Sequence, residues 1–476
     1  MTDLLARDAT AQLSALRAKD ISAVELLKLS LARHEQTHQT LNAVVTADLG
    51  RALDTARAMD DLRAKGASLG PLAGLPMTIK DALDVAGMAA SSGVELLRRR
   101  KPQDAVAVGH VRQAGAVIWA KTNVPVMTAD WQSFNPLYGT TNNPWDPART
   151  PGGSSGGAAA ALAAGVTALE IGSDIGGSLR VPASFCGVFS HKPTWGLVSQ
   201  LGHVPPAPGT HAERDLNVIG PMARSARDLR LLLSVLTAGV PAKAEVADLS
   251  RLKIGLWLES FPLDPEVAAV IEVLGAQLSA AGAEVRPISS PVSADQLTAA
   301  YQTLLGAVQA TDMPIKAQTS LRRMRGVAGL ALRLGAGPQS WAGLARAYAA
   351  THAEWIAADE VRARLKQTTN EAFAAFDVIL APVAPVVAFP HDHRPFIRRR
   401  LTTSEGQALP YATMFNWIAL ATACHLPVTT IPAGLAASGL PVGVQIIGPH
   451  GADSRTLAIA QAIDERLGGF IAPPMG

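Results

Sequence analysis

The apolar positions of the chain change period along its length, and the changes mark out its elements. Ser22-Ala23-Val24-Glu25 has the form of a capping box. With Val24, Leu26, Leu27, Leu29 and Leu31 after it, a helix is expected from Ser22 to about Glu35. A second helix is expected over Arg51–Lys65. From Pro71 to Ala238 short apolar runs alternate with helical ones. Leu75–Lys80, Ala116–Lys121 and Thr167–Gly172 read as strands, and Val106–Gln113 and the Ala-rich Ala158–Ala164 as helices. The pattern restarts with a strand in Arg251–Trp257, a helix over Pro265–Ala281 and a strand over Ala283–Ile288. It then turns helical from Ala294 to Thr369, interrupted by Gly326, Gly329, Gly335 and Gly337. Strands return at Asp377–Ala381, Pro427–Ile431 and Val442–Ile447, and a helix over Ser454–Leu467 closes the chain.

Such alternation implies an α/β fold, a large mixed, mostly parallel sheet with helices on both faces. The 476 residues are read as one domain, 1–476, with a core of about 66–240 and 376–476 and a helical insertion of about 294–370 that covers one side of the site and sets specificity. No internal repeat is visible. Hydrophobic residues make up 48% of the chain, enough for a large core. Lys+Arg 42 against Asp+Glu 39 leaves a net +3, too near neutral to argue for nucleic acid or an anionic membrane, and both are excluded at this level. The short runs Arg98–Lys101 and Arg398–Arg400 read as solvated or salt-bridged faces. The first residues lack a basic stretch followed by an apolar one, and no apolar run approaches the roughly 20 residues of a membrane span, so a cytoplasmic protein is expected. The two cysteines, Cys186 and Cys424, are expected as free thiols. Cys186 is read as a buried structural thiol, with a catalytic role as the alternative.

Chemistry concentrates between Arg149 and Pro182. Two serine-bearing glycine clusters, Gly152–Gly157 and Asp174–Ser178, flank the Ala-rich helix, an arrangement that suits backbone N–H groups aimed at a ligand. Gly152–Gly156 satisfies GxSxG, but a nucleophile elbow needs a buried strand just before its serine, and Asn142–Pro147 with Pro151 describe a loop. The strand runs into the second cluster instead, which makes Ser178 the better nucleophile. Lys80, at the end of an apolar strand, is a candidate base, because burial favours a neutral amine. Ser–Lys pairs are a variant of triad logic. Asp174 is read as orienting the glycine loop, with acid–base work as the alternative; Ser155 is read as a helix cap, with support of the catalytic network as the alternative.

These segments resemble the amidase signature family of serine hydrolases. The resemblance is carried by Gly74–Asp81, Gly152–Gly157 and Gly172–Ala183, and further by Lys192–Gly196, Gly220–Ser225 and Gly439–Gln445. It implies Ser178 as nucleophile, Ser154 as a bridging serine on a cis peptide bond and Lys80 as base. The N–H groups of Ile175, Gly176, Gly177 and Ser178 would form the oxyanion hole. One departure stands out. The family often has TNxPE where this chain has Thr122-Asn123-Val124-Pro125-Val126-Met127, so a wall of Val126, Met127, Trp131 and Phe134 would suit an apolar or aromatic group. Met127, Gly153, Ser155 and Trp131 are the expected substrate contacts.

The expected activity is hydrolysis of a small carboxamide, with aryl amides and carbamates as candidates and ester cleavage alongside. A small-molecule amide, carbamate or ester is the expected partner, and a homodimer is expected by analogy alone. No cofactor and no metal are expected: HExxH and GxxxxGK[ST] are both missing. The first rival is the amidase subunit of a tRNA-dependent amidotransferase, ranked lower because its glutamine-binding arginine segment is not recognised between Leu321 and Leu334. The second is a non-catalytic binding protein of the same fold.

Overall fold

A computed structural model describes residues 3–239 and 247–475. Its strands in chain order are β1 (Val44–Ala47), β2 (Pro76–Lys80), β3 (Val117–Thr122), β4 (Phe134–Asn135), β5 (Gly139–Thr140), β6 (Leu169–Asp174), β7 (Phe189–Lys192) and β8 (Val218–Ala223). They continue with β9 (Lys253–Leu256), β10 (Glu284–Pro287), β11 (Val378–Pro382), β12 (Arg400–Thr402), β13 (Ala408–Pro410), β14 (Val428–Leu435) and β15 (Pro441–Ile447). Eleven of them form one sheet in the order β1-β3-β2-β6-β8-β7-β14-β15-β11-β9-β10.

The large mixed sheet is as expected, but parallel pairing does not dominate it. The parallel pairs are β3–β2, β2–β6, β11–β9 and β9–β10; the other six are antiparallel. The cause lies in β7 and β8 at the centre, which apolar periodicity did not reveal. β7 reads Phe-Ser-His-Lys, and β8 carries Gly220-Pro221, a pair that reads as a breaker. Tertiary packing overrides both signals. A Cβ on Gly220 would lie 2.2 Å from the His191 carbonyl, so only glycine lets β8 approach β7 this closely.

The expected elements fall close to their observed bounds. Ser22 accepts from the Glu25 amide while Glu25 accepts from the Ser22 amide, the reciprocal pair that starts helix Ala23–Leu41. That helix outlasts its apolar stripe and ends at Asn42, in the left-handed conformation. One core cluster joins Leu26, Leu27, Leu229, Leu232 and Ile459 to the sheet through Met77, Ile79 and Ile171. Another joins Val181, Phe185, Tyr301, Trp417 and Ile418 to Ile379, Ala381 and Val428. Helices therefore cover the sheet on both faces.

Between β10 and β11 lie helices Ala294–Ala310, Ile315–Arg333, Trp341–Tyr348 and His352–Ala372. Gly326 and Gly329 sit inside the second and do not interrupt it; Gly335 and Gly337 do separate it from the third. The expected core boundary near 240 lies outside the described residues. Among the described residues no helix is long and apolar enough to cross a membrane.

Candidate functional site

β2 ends in Lys80 and its parallel neighbour β6 ends in Ser173 and Asp174, so both strands deliver their last side chains to one edge of the sheet. Lys80 is fully buried. Its Nζ lies 2.8 Å from Ser154 Oγ, 2.9 Å from Ser173 Oγ and 3.4 Å from the Ser173 carbonyl. Burial pushes its pKa down to about 7, against the negative charges of Asp174 and Glu170. Glu170, between Thr78 and Thr122, is itself pushed up to about 8 by burial. Ser154 follows a cis Gly153–Ser154 peptide, as the resemblance implied. Gly153 is packed so tightly that a Cβ there would lie 2.4 Å from the Asp130 carbonyl.

The two serine clusters meet. The Ser155 amide donates to the Ser178 carbonyl at 3.2 Å, which ties the Ser154 loop to the Ser178 loop. Ser155 stands at the N-cap position of helix Gly156–Ala163, yet its hydroxyl does not cap; it points to the Ser173 carbonyl at 3.5 Å, and Ser133 Oγ accepts from the Gly156 amide instead. The Ser178 hydroxyl lines a cavity and has no hydrogen-bond partner among the described residues.

Asp174 does what was expected of an orienting group. Its carboxylate accepts from the Gly177 and Leu179 amides and takes both Arg180 nitrogens Nε and Nη2 at 3.0 and 2.9 Å. Burial works to raise its pKa, but the Arg180 charge outweighs it and holds the group down at about 2. Arg180 in turn donates to the Ile418 carbonyl, Thr422 and Gln445, which explains why the late Gly439–Gln445 segment belongs to the pattern. One expectation is corrected here: the Gly177 N–H is committed to Asp174, leaving those of Ile175, Gly176 and Ser178 without an acceptor among the described residues. The two carbonyls of this turn are held from outside, that of Ile175 by Tyr301 Oη at 2.9 Å and that of Gly176 by Trp131 Nε1 at 2.7 Å. Tyr301 was not singled out in the sequence; nothing local marks it.

The cavity at Ser178 has a volume of about 420 Å³. Thr128, Ala129, Asp130, Trp131, Ile175 and Gly176 line it on the core side; Gln309, Met313, Leu321, Met324, Trp341, Leu344, Ala345 and Tyr348 come from the helices between β10 and β11; and Phe396, Ile397 and Phe415 complete it. Of the four expected substrate contacts only Trp131 lines it. Met127 and Thr128 have φ of 52° and 55°, and this turn carries Thr128–Trp131, not Met127, to the cavity. Gly153 and Ser155 are buried behind it, Val126 is exposed, and Phe134 stacks on His393 instead. The single charged lining side chain, Asp130, is engaged by Arg399 Nη1 at 2.5 Å and Tyr411 Oη at 2.7 Å. Arg399 is therefore buried and paired, the salt-bridged of the two readings of its run.

Both cysteines are buried and free, and burial pushes the Cys186 thiol far up, which suits a structural role. Among the described residues no cluster of His, Cys, Asp and Glu could hold a metal ion.

The Amidase family model matches residues 25–457. The chain belongs to the amidase signature family. Enzymes of this family are hydrolases acting on carbon–nitrogen bonds. Over 502 residues the chain is 32% identical to the A subunit of the glutamyl-tRNA(Gln) amidotransferase of Synechococcus sp. (strain CC9605), covering 96% of each. The corresponding protein of Moorella thermoacetica is 34% identical over 489 residues, 94% of each. Among solved structures, the native peptide amidase of Stenotrophomonas maltophilia superposes with a TM-score of 0.77 at 28% identity, covering 98% of both chains. These relatives overturn one expectation. A small-molecule substrate with nucleic acid excluded does not fit a chain that matches, almost end to end, proteins named for a tRNA-linked amidotransferase. A near-neutral net charge describes the chain's long-range field, not whether a protein of this fold works beside tRNA.

Proposed function

We propose that the chain hydrolyses a carboxamide through an acyl-enzyme on Ser178. The observation that carries this reading is a fully buried lysine 2.8 Å from the Ser154 hydroxyl, on a loop tied to the one bearing Ser178. The Ser178 oxygen attacks the carbonyl carbon. Its proton passes to Ser154 Oγ as the Ser154 proton passes to the Lys80 lone pair. For this the Ser178 hydroxyl turns from the cavity toward Ser154. The developing oxyanion faces the N–H groups of Ile175, Gly176 and Ser178. Collapse breaks the C–N bond and returns the proton through Ser154 to the leaving amine. Water then attacks the ester, giving its proton to the same relay, and releases the acid and Ser178.

The apolar lining supports an apolar or aromatic acyl group, as in aryl amides, carbamates and esters, an ester being easier because an alkoxide leaves without protonation. The helices between β10 and β11 act on this reading as the specificity-setting insertion. A second reading is favoured by the relatives: the glutamine-hydrolysing component of an amidotransferase, working with partner subunits and tRNA. The two share the chemistry and differ in the acyl group.

The test is ammonia or amine release by the purified protein from glutamine and from a panel of aryl amides, carbamates and esters. Preference for the panel supports the apolar acyl group; preference for glutamine, or copurifying partner subunits, gives the amidotransferase reading. In either case Ser178→Ala is expected to lose about 10⁴-fold or more in turnover, together with fluorophosphonate labelling, and Lys80→Ala about 10²–10⁴-fold. Turnover surviving both substitutions would remove the mechanism.

A further inference from the structure

Lys80 has three polar atoms around its amine, and the mechanism uses only one of them. A neutral amine offers two N–H donors and a single lone pair. The lone pair must face Ser154 if Ser154 is to surrender its proton. Ser173 Oγ, at 2.9 Å, competes for it, because a hydroxyl that donates to the lysine nitrogen closes off the lone pair.

His203 bears on that competition. It is buried, 95% screened from solvent, and its Nε2 lies 2.8 Å from Ser173 Oγ while its Nδ1 lies 2.5 Å from the Pro205 carbonyl. A carbonyl only accepts, so Nδ1 carries the ring proton and Nε2 is bare. Burial above all holds the ring neutral, its pKa pushed down to about 3. A bare Nε2 accepts a hydrogen bond from the Ser173 hydroxyl. Ser173 Oγ then has only lone pairs left for Lys80, and the Ser173 carbonyl at 3.4 Å likewise only accepts.

The geometry points to His203 as a positioning residue that draws the Ser173 proton away from Lys80, so that the two N–H groups of the neutral amine go to Ser173 and its lone pair is left for Ser154. Of the groups around the amine, Ser154 is then the single one able to give it a proton. The histidine does not touch the substrate and exchanges no proton in the reaction; it fixes the direction of a hydrogen bond. This inference rests on Lys80 being the base.

The test is a double-mutant cycle read in kcat, KM and the pH profile. With Ser173 freed to donate, His203→Phe is expected to lower kcat about tenfold, the worth of one competing hydrogen bond, with KM within about twofold of wild type. In a Ser173→Ala background no hydroxyl competes, so adding His203→Phe is expected to change kcat by less than about twofold. His203→Gln, which keeps an acceptor, should restore most of the loss. A His203→Phe effect equally large in both backgrounds, or no effect in either, overturns the inference. The failure of the underlying reading is separate, since it would show as turnover surviving Lys80→Ala. If His203→Phe does not fold, ¹⁵N spectra of the wild-type ring decide the matter: Nδ1 protonated and Nε2 bare between pH 6 and 9 is expected, and a protonated Nε2 sinks the proposal.

Discussion

Lys80 and Lys192 are both fully buried lysines whose pKa burial pushes down to about 7, and their surroundings separate them. Lys192 Nζ donates to the carbonyls of Pro193 and Leu426, neither of which holds a proton to exchange. Lys80 faces two hydroxyls. The charge-state consequence can be read in solution. Because the neutral amine is the working form, kcat/KM is expected to rise with pH through about 7 and level above it, in a profile measured from pH 5.5 to 9 on an uncharged amide. A profile flat across that range would mean another base. The same shift affects stability. In the folded state Lys80 binds its proton less well than at its ordinary 10.5, so between about 7 and 10.5 the unfolded chain binds more protons, and this group's contribution to stability rises with pH.

At the scale of elements, the parallel pair β2–β6 sets the position of Lys80 against Ser173 and Asp174; the loop beyond β6 carries Ser178, and Ser154 comes from the segment between β5 and helix Gly156–Ala163. Helix Trp341–Tyr348 supplies the far wall. Trp341 is 43% exposed and lines both the cavity at Ser178 and a neighbouring one of about 620 Å³, which share Leu344, Phe396 and Ile397. Trp341 thus borders both cavities. Trp341→Ala removes apolar surface from the cavity at Ser178, so KM for an aromatic amide is expected to rise roughly tenfold while kcat stays within about threefold. Bulkier acyl groups should lose less than small ones, and steady-state kinetics on a homologous series checks both.

Over the whole molecule, stability is unevenly distributed. β2, β3, β6 and β8 are buried along their full length, whereas helix Ile315–Arg333 buries Ala328 alone and leaves Ile315, Val327 and Leu330 exposed. Hydrogen exchange followed by mass spectrometry is expected to show that helix exchanging at least tenfold faster than β2 and β6. Equal protection would mean that something covers its outer face in solution. Much of this architecture was legible in the residues. Capping, apolar period and turn chemistry placed most elements within a few residues, and the loops around Ser154 and Ser178 declared themselves because glycine beside serine is so specific a requirement. What the chain kept hidden was set by neighbours distant in sequence. Phe189–Lys192 and Val218–Ala223 are strands because the sheet closes around them, against their own Gly-Pro and polar signals. Tyr301 and His203 join the site from segments outside its motifs, and the turn at Met127 exchanged one set of cavity contacts for another. The linear sequence decides whatever depends on local backbone preference and on chemistry confined to a short loop. Which hydroxyl faces which nitrogen, and which apolar side chains meet across the cavity, depends on contacts between remote segments, and only the folded chain brings those together.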